Sequence, residues 1–188
     1  KAYYVFNPTA EKEPIQTHSL PDPLGGRLAA FREGILAPTG AGQILFLDPR
    51  SGRNLTEPFQ PRLQSDARFN WGEPAVDDEK QIVVGDGLKR LFRIGVKEQP
   101  RPHLASLAQA AMPTPLSSSV AVLGKTAFAV DSGAALLALA PADLAVGEKW
   151  PLGGNCLWGP RRIGKRVMLA TEDYLYCLEE TPKLLWRT

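Results

Sequence analysis

The sequence predicts an all-β protein built from small four-stranded antiparallel sheets that repeat along the chain. Three observations predict it. Short apolar runs recur at a spacing near forty residues, each run closes on a turn rich in glycine, aspartate or proline, and only one short stretch has helical spacing. The stretch GQILFLDPRSGRNL at residues 42–55 shows the pattern, with four apolar residues running straight into aspartate, proline, serine and glycine.

Aligned on that run, the chain holds five copies: YYVFN at 3–7, ILFLD at 44–48, LFRIG at 91–95, LLALA at 136–140 and LYCLE at 175–179. Their starts are separated by 41, 47, 45 and 39 residues. A period of this size is that of one propeller blade, so the expected fold is a β-propeller of which about four and a half blades are visible. The expected modules are a partial blade at 1–24 and blades at 25–66, 67–113, 114–154 and 155–188.

Each copy reads as the third strand of its blade. Upstream of the last four lie GILAPTGAG, QIVVGDG, AFAVDSG and VMLATED, apolar runs ending in a tight Gly or Asp turn, which is a hairpin signal. Further upstream, LAAFREG, PAVDDEK, VAVLGKT and RRIGKRV read as first strands, and LTEPFQPRL, PHLASLAQA, EKWPLGG and KLLWRT read as fourth strands. Asp48, Pro49, Ser51 and Gly52 form the turn between third and fourth strands, since aspartate bonds its own backbone and glycine takes a left-handed conformation. Within HLASLAQAAM at 103–112, Leu104, Leu107, Ala108 and Ala111 also fall at helical spacing, and its place in the repeat favours a strand over that helix.

The third strands ILFL and LLAL are apolar on both faces, so both faces must be covered, as in a blade between two neighbours. This chain starts mid-blade and ends on a complete fourth strand. It is therefore expected either to be part of a larger propeller or to close as a small or distorted ring. Two uncovered blade faces would expose about 600 Å² of largely apolar surface, near the upper limit for a monomer. The open faces are expected to be covered by further chain segments or by a second copy.

Bulk properties narrow the function. The 188 residues are 44% hydrophobic and 22% charged, an ordinary globular composition. The formal net charge of +2 offers no footprint for a phosphate backbone, so nucleic acid is not an expected partner. No apolar run approaches the roughly 20 residues of a membrane-spanning helix. The first residues lack the plan of a signal peptide, although an opening inside a strand leaves room for a missing leader. Two cysteines, Cys156 and Cys177, are too few for a disulfide scaffold or a zinc site; Cys177 reads as a small buried strand residue, and whether the two pair is open.

GILAPTGAGQILFLDPRSGRNL, VMLATEDYLYCLEETPKLLW ending at Trp186, and Trp150 in EKWPL carry a family resemblance. Their pattern resembles V-x-V-G-x-x-x-G-x-L-Y-A-L-D-x-x-T-G-x-x-x-W, the repeat of the pyrroloquinoline-quinone-like propellers, over nearly the whole chain. Gly95 and Ala140 depart from its aspartate. The resemblance implies one of two kinds of protein. One is a quinone-dependent dehydrogenase with adjacent cysteines and a calcium ion. The other is a non-enzymatic binding propeller, as in an outer-membrane assembly lipoprotein and many envelope or secreted proteins. Cys156 and Cys177 are not adjacent, and no residue here carries over as a cofactor or calcium ligand.

Catalytic candidates are thin. His18 and His103 have no metal-ligand spacing and read as surface residues. The acids Asp77, Asp78 and Glu79, and Glu172 with Asp173, sit at hairpin turns, where water prevents the pKa shift that acid-base work needs. The run Arg161, Arg162, Lys165 and Arg166 is either a solvated hairpin or a patch for an acidic partner or anionic lipid. Trp71 in NWGEP and Trp158 in LWGPR are either packed under the adjoining blade or presented to a partner at the central funnel. The expected function is therefore a non-catalytic propeller, periplasmic, envelope or secreted, that binds a protein or polysaccharide without a cofactor. The candidate contacts are Trp71, Trp158, Arg161 and Arg162, self-association through open blade faces is a further possibility, and part of a quinone-dependent dehydrogenase is the alternative.

Overall fold

Neighbouring residues on the same strand are buried in different cores, and this sharing sets the architecture. The computed structural model describes residues 1–9, 14–62, 69–77, 80–181 and 183–188. Asp78, Glu79, Leu63 of the segment LTEPFQPRL and the module boundary expected between 66 and 67 lie outside the described residues.

The described residues contain no helix. The first sheet pairs β1 (Ala2–Phe6) with β2 (Ile15–Ser19), and the second orders β3 (Ala29–Phe31), β4 (Gly34–Pro38) and β5 (Ile44–Leu47). The third runs β6 (Ala75–Asp77), β7 (Gln81–Gly85), β8 (Arg90–Lys97) and β9 (His103–Ala111). The fourth runs β10 (Ala121–Leu123), β11 (Thr126–Val130), β12 (Ala135–Leu139) and β13 (Val146–Pro151), and the fifth β14 (Cys156–Ile163), β15 (Arg166–Thr171), β16 (Leu175–Leu178) and β17 (Leu184–Arg187). Every pairing within a sheet joins consecutive strands antiparallel. The second to fifth sheets are the blades of a four-bladed β-propeller, whose first strands β3, β6, β10 and β14 touch in succession. The two-stranded first sheet stacks on the second. The stretch with the rival helical reading is the strand β9.

Side-chain alternation explains the stacking. On β12, Leu137 and Leu139 enter the core between the third and fourth sheets, while Leu136 and Ala138 enter the core between the fourth and fifth. On β5, Ile44 and Phe46 face the third sheet while Leu45 and Leu47 meet Tyr3 of the first and Leu20, which directly follows β2. Among the described residues, no buried cluster joins the first sheet to the fifth. The outer side of β1 leaves Tyr4 71% and Phe6 67% exposed, and Phe6 pairs across the sheet with exposed Ile15.

The hairpins between second and third strands share one device. A buried Thr39, Asp86, Asp131 or Thr171 accepts N–H bonds from the turn: Thr39 Oγ1 from Gln43 (3.1 Å), Asp86 Oδ1 from Leu88 and Arg90 (2.9 and 3.1 Å), Asp131 Oδ1 from Gly133 and Ala135 (both 3.0 Å), and Thr171 Oγ1 from Tyr174 (3.1 Å). Burial raises the Asp131 pKa, but the Lys149 ammonium donating to Oδ2 at 2.8 Å and the two turn N–H groups outweigh it, and the net shift is downward. At the opening turn, Asp48 Oδ1 accepts from the Arg50 N–H and Oδ2 from the Ser51 hydroxyl, both at 2.8 Å, and Gly52 takes φ +69°.

Among the described residues, one expected strand is missing. Residues 54–59 form no continuous ladder with β5: they meet it at the isolated bridges Leu47↔Asn54 and Ile44↔Phe59 and through the Leu55 N–H, which donates to the Phe46 carbonyl at 2.7 Å. Pro58 has no N–H to donate to a ladder. The Glu57 N–H and carbonyl turn to the next blade, bonding the Pro102 carbonyl and the Leu104 N–H at 2.9 Å each.

Phe46→Ala is expected to cost about 3–5 kcal/mol in urea unfolding, since Phe46 fills a core between two sheets, whereas Tyr4→Ala should stay within about 0.5 kcal/mol. Because the native Asp131 pKa lies below its ordinary 3.8, the stability it contributes is complete above that value. It is lost as pH falls through the lowered native pKa. Asp131→Asn should flatten the acid limb of stability measured between about pH 5 and pH 2.

Candidate functional site

Where the first strands converge, the chain leaves a cleft of about 400 Å³. Four chain segments line it: Arg27 ahead of β3, residues 73–76 leading into β6, residues in the range 117–122 leading into β10, and residues 156–162 of β14. The cleft therefore lies on the propeller axis.

The first strands differ, and the difference shapes the cleft. β3, β6 and β10 are three residues long, whereas β14 has eight and breaks register between Cys156 and Trp158 and again between Trp158 and Arg161. Such irregularities re-aim side chains. Here they present Leu157 at 68% exposure and Trp158 at 41% beside the arginines. Gly159, at φ +80°, permits the second break, because a Cβ there would stand 2.5 Å from the Met168 carbonyl oxygen.

A single carboxylate spans the cleft. Glu73 Oε1 accepts from Arg161 Nη2 at 3.2 Å, and Glu73 Oε2 lies 3.6 Å from Arg27 Nη1. The Glu73 N–H donates to Ser119 Oγ at 2.9 Å, which fixes the backbone beneath that carboxylate. The second, third and fifth sheets are thus tied through one residue, with Arg161 and Glu73 88 positions apart. Arg162 also lines the cleft, its Nε donating to the Gly164 carbonyl at 3.2 Å. With three guanidinium groups and one carboxylate among these four residues, they carry a net positive charge.

Of the expected contact residues, Trp158, Arg161 and Arg162 come together here. Of the two readings of Trp71, the packed one holds: the side chain is buried, and this corrects its place among the expected partner contacts. It is 3% exposed, its ring stacks on Phe69 at 5.4 Å and meets Phe92 at 6.1 Å, and Gly26 of the second blade closes against its backbone and Cβ. Lys165 and Arg166 of the basic run sit on the β14–β15 hairpin outside the cleft. Glu172 accepts bonds from the Asn155 N–H and side-chain amide, a structural task. The His18 Nε2–H donates to the Pro49 carbonyl at 3.1 Å and His103 Nδ1–H to the Arg101 carbonyl at 2.8 Å.

Cys156 and Cys177 are both free thiols; Cys177 is buried, and burial pushes the Cys156 thiol pKa up. Among the described residues, no group of three or more His, Cys, Asp or Glu side chains is placed to hold a metal ion. Sequence reasoning passed over Glu73 and Arg27. The available signal was that NWGEP and LWGPR put charges of opposite sign, Glu73 and Arg161, just after the same Trp-Gly pair.

No family model matches the chain, and no protein of curated function is significantly similar to it. Solved structures are similar in fold. BamB from Moraxella catarrhalis superposes with a TM-score of 0.66 at 12% identity, covering 87% of this chain and 48% of that one. BBS1N, from its complex with ARL6DN, superposes with a TM-score of 0.69 at 12% identity, covering 93% of this chain and 57% of that one. The chain thus spans about half the length of these neighbours, and identities this low speak for the propeller fold alone.

Because the Glu73 ion pairs are partly exposed, Glu73→Gln should change stability by under about 1 kcal/mol. Gly159→Ala should cost more than that, since it brings both a positive φ and a clash. Thermal unfolding of the two variants side by side checks the order.

Proposed function

We propose that this chain is a non-catalytic propeller module that binds a protein through its axial face, with Trp158, Arg161 and Arg162 as contacts and exposed Leu157 beside them. The single observation that carries the reading is the concentration of exposed aromatic, aliphatic and arginine side chains at the mouth of one concave site, a composition typical of interface centres. Two further observations support it. The structural neighbours include a propeller solved in complex with another protein, BBS1N with ARL6DN. The repeat resemblance to the pyrroloquinoline-quinone-like propellers also reaches binding members of that group. Polysaccharide is the other occupant that an exposed tryptophan serves, and the experiment below separates the two.

A photo-reactive amino acid placed at Leu157 in the producing cell should form adducts containing peptide of a second protein, while the same residue at Val146 on β13 should not. Adducts with glycan, or none at position 157, would overturn the protein reading. A quinone-dependent dehydrogenase would instead give a spectral change on adding pyrroloquinoline quinone and calcium, and dye reduction with an alcohol.

A second reading concerns the blade stack itself. The exposed Tyr4, Phe6 and Ile15 on the first sheet and Leu184 and Trp186 on the last support head-to-tail self-association of copies. Sedimentation velocity should show association that grows with concentration and is lost in Phe6→Glu. A monomer at every concentration would remove this reading.

A further inference from the structure

Glu73 has an unusual place among the charges of the axial cleft. It is the only carboxylate among the described residues that line the cleft, and it lies between two guanidinium groups from different blades. Both arginines keep donors to spare, since each guanidinium has five N–H groups. Arg161 makes one hydrogen bond to Glu73 through Nη2, and Arg27 stands 3.6 Å from the second oxygen. The side chains of Arg27 and Arg161 are 76% and 51% exposed, so both remain open to a ligand.

We infer that the axial cleft is a carboxylate-recognition site for an acidic peptide segment, and that Glu73 is its internal occupant, holding the arginines where an incoming Glu or Asp side chain will bind. The inference rests on the protein-binding reading above and names the partner's chemistry. An arginine pair matches a carboxylate in both charge and planar geometry, and Arg162 adds a third cation at the same wall. Beside it, Leu157 and Trp158 give apolar surface for the residue that flanks the acid in the peptide.

The arrangement has a consequence that a simple basic patch lacks. A ligand carboxylate must share or displace the bonds that Glu73 makes, and it is repelled by the Glu73 charge. Removing that charge should therefore strengthen binding. A purely structural salt bridge predicts the reverse, because the loosened arginines would then bind less well. Arg161→Gln removes the donor that reaches across the cleft, and Arg166→Gln removes an equal charge from the hairpin outside it.

The test uses a dye-labelled peptide of repeated Glu-Leu-Gly-Ser units and its Gln-for-Glu counterpart, followed by fluorescence anisotropy at low ionic strength. The acidic peptide is expected to bind the whole chain more tightly than the neutral one. Arg161→Gln should weaken it about tenfold, Arg166→Gln should weaken it less than about twofold, and Glu73→Gln should tighten it about three- to tenfold. Equal affinity for the two peptides, or an affinity that Glu73→Gln leaves unchanged or lowers, would overturn the inference. So would binding of phosphatidylserine vesicles that depends on Arg161 without any preference for the acidic peptide, which would assign the cleft to a lipid headgroup. Protein adducts at position 157 together with no preference for the acidic peptide would remove this inference and leave the protein-binding reading standing.

Discussion

A strand with apolar side chains on both faces cannot lie on a surface, and the whole chain follows from how often that strand recurs. Leu136 and Leu137 are chain neighbours, yet one is buried against the fifth sheet and the other against the third. The same division holds for Phe128 and Ala129 on β11, and for Leu45 and Phe46 on β5. At about 25 cal/mol per Å² of apolar surface removed from water, each sheet gains on both faces, and a sheet with one neighbour gains on one. The faces of the first and last sheets that have no neighbour are where Tyr4, Phe6, Leu184 and Trp186 are exposed.

Stacking also dictates the chemistry of the hairpins. Once a sheet is sandwiched, the turn between its second and third strands carries N–H groups that water reaches poorly, and each must find an acceptor. Thr39, Asp86, Asp131 and Thr171 supply that acceptor at the same place in four blades. Two of them are charged, and both have a cation in contact: Asp86 with Arg90 Nε at 2.6 Å and Asp131 with Lys149 Nζ at 2.8 Å. A buried aspartate stripped of its partner is costly, so the charge is retained only where a neighbouring strand supplies that partner. The outer turn at Asp48 uses the same kind of hydrogen bonds where the side chain is only partly covered. The Arg50 N–H and the Ser51 hydroxyl are enough to hold the Asp48 pKa below the usual value, with only a minor contribution from the Arg50 charge.

This difference in solvation explains what could be read from the sequence and what could not. The repeat of ILFLD, LFRIG, LLALA and LYCLE was legible because strand burial is periodic and local, and so was the turn at Asp48, whose hydrogen-bond partners lie between Arg50 and Arg53. The strand at 103–112 was legible from its place in the repeat, although its own periodicity was ambiguous. The missing ladder at 54–59 was not, because Glu57 bonds to the following blade, about 45 residues away. Trp71 and Trp158 share a Trp-Gly context and end up in opposite environments. Phe69, Gly26 and Phe92 close over the first, and the irregular β14 lifts the second. Sequence context identifies an aromatic at a blade junction; the neighbouring blade decides whether it is covered.

The axis is where long-range placement matters most. Arg27, Glu73 and Arg161 belong to three different blades and lie far apart in sequence, and only the convergence of first strands brings them within 4 Å. If β14 were as short as β3, β6 and β10, the centre would keep Arg27 and Glu73 but lose much of the wall that Leu157, Trp158 and Arg161 supply. The eight-residue β14 breaks that symmetry, since its two register shifts carry Leu157 and Trp158 outward and Arg161 across to Glu73. An asymmetric strand in an otherwise regular array is hard to explain by stability, because bulges forgo ladder hydrogen bonds and exposed apolar side chains forgo burial. In this chain the irregular strand, the exposed aromatic and the cross-axis ion pair coincide at one cleft. Function is the economical reason for three departures from the repeat to share a single place.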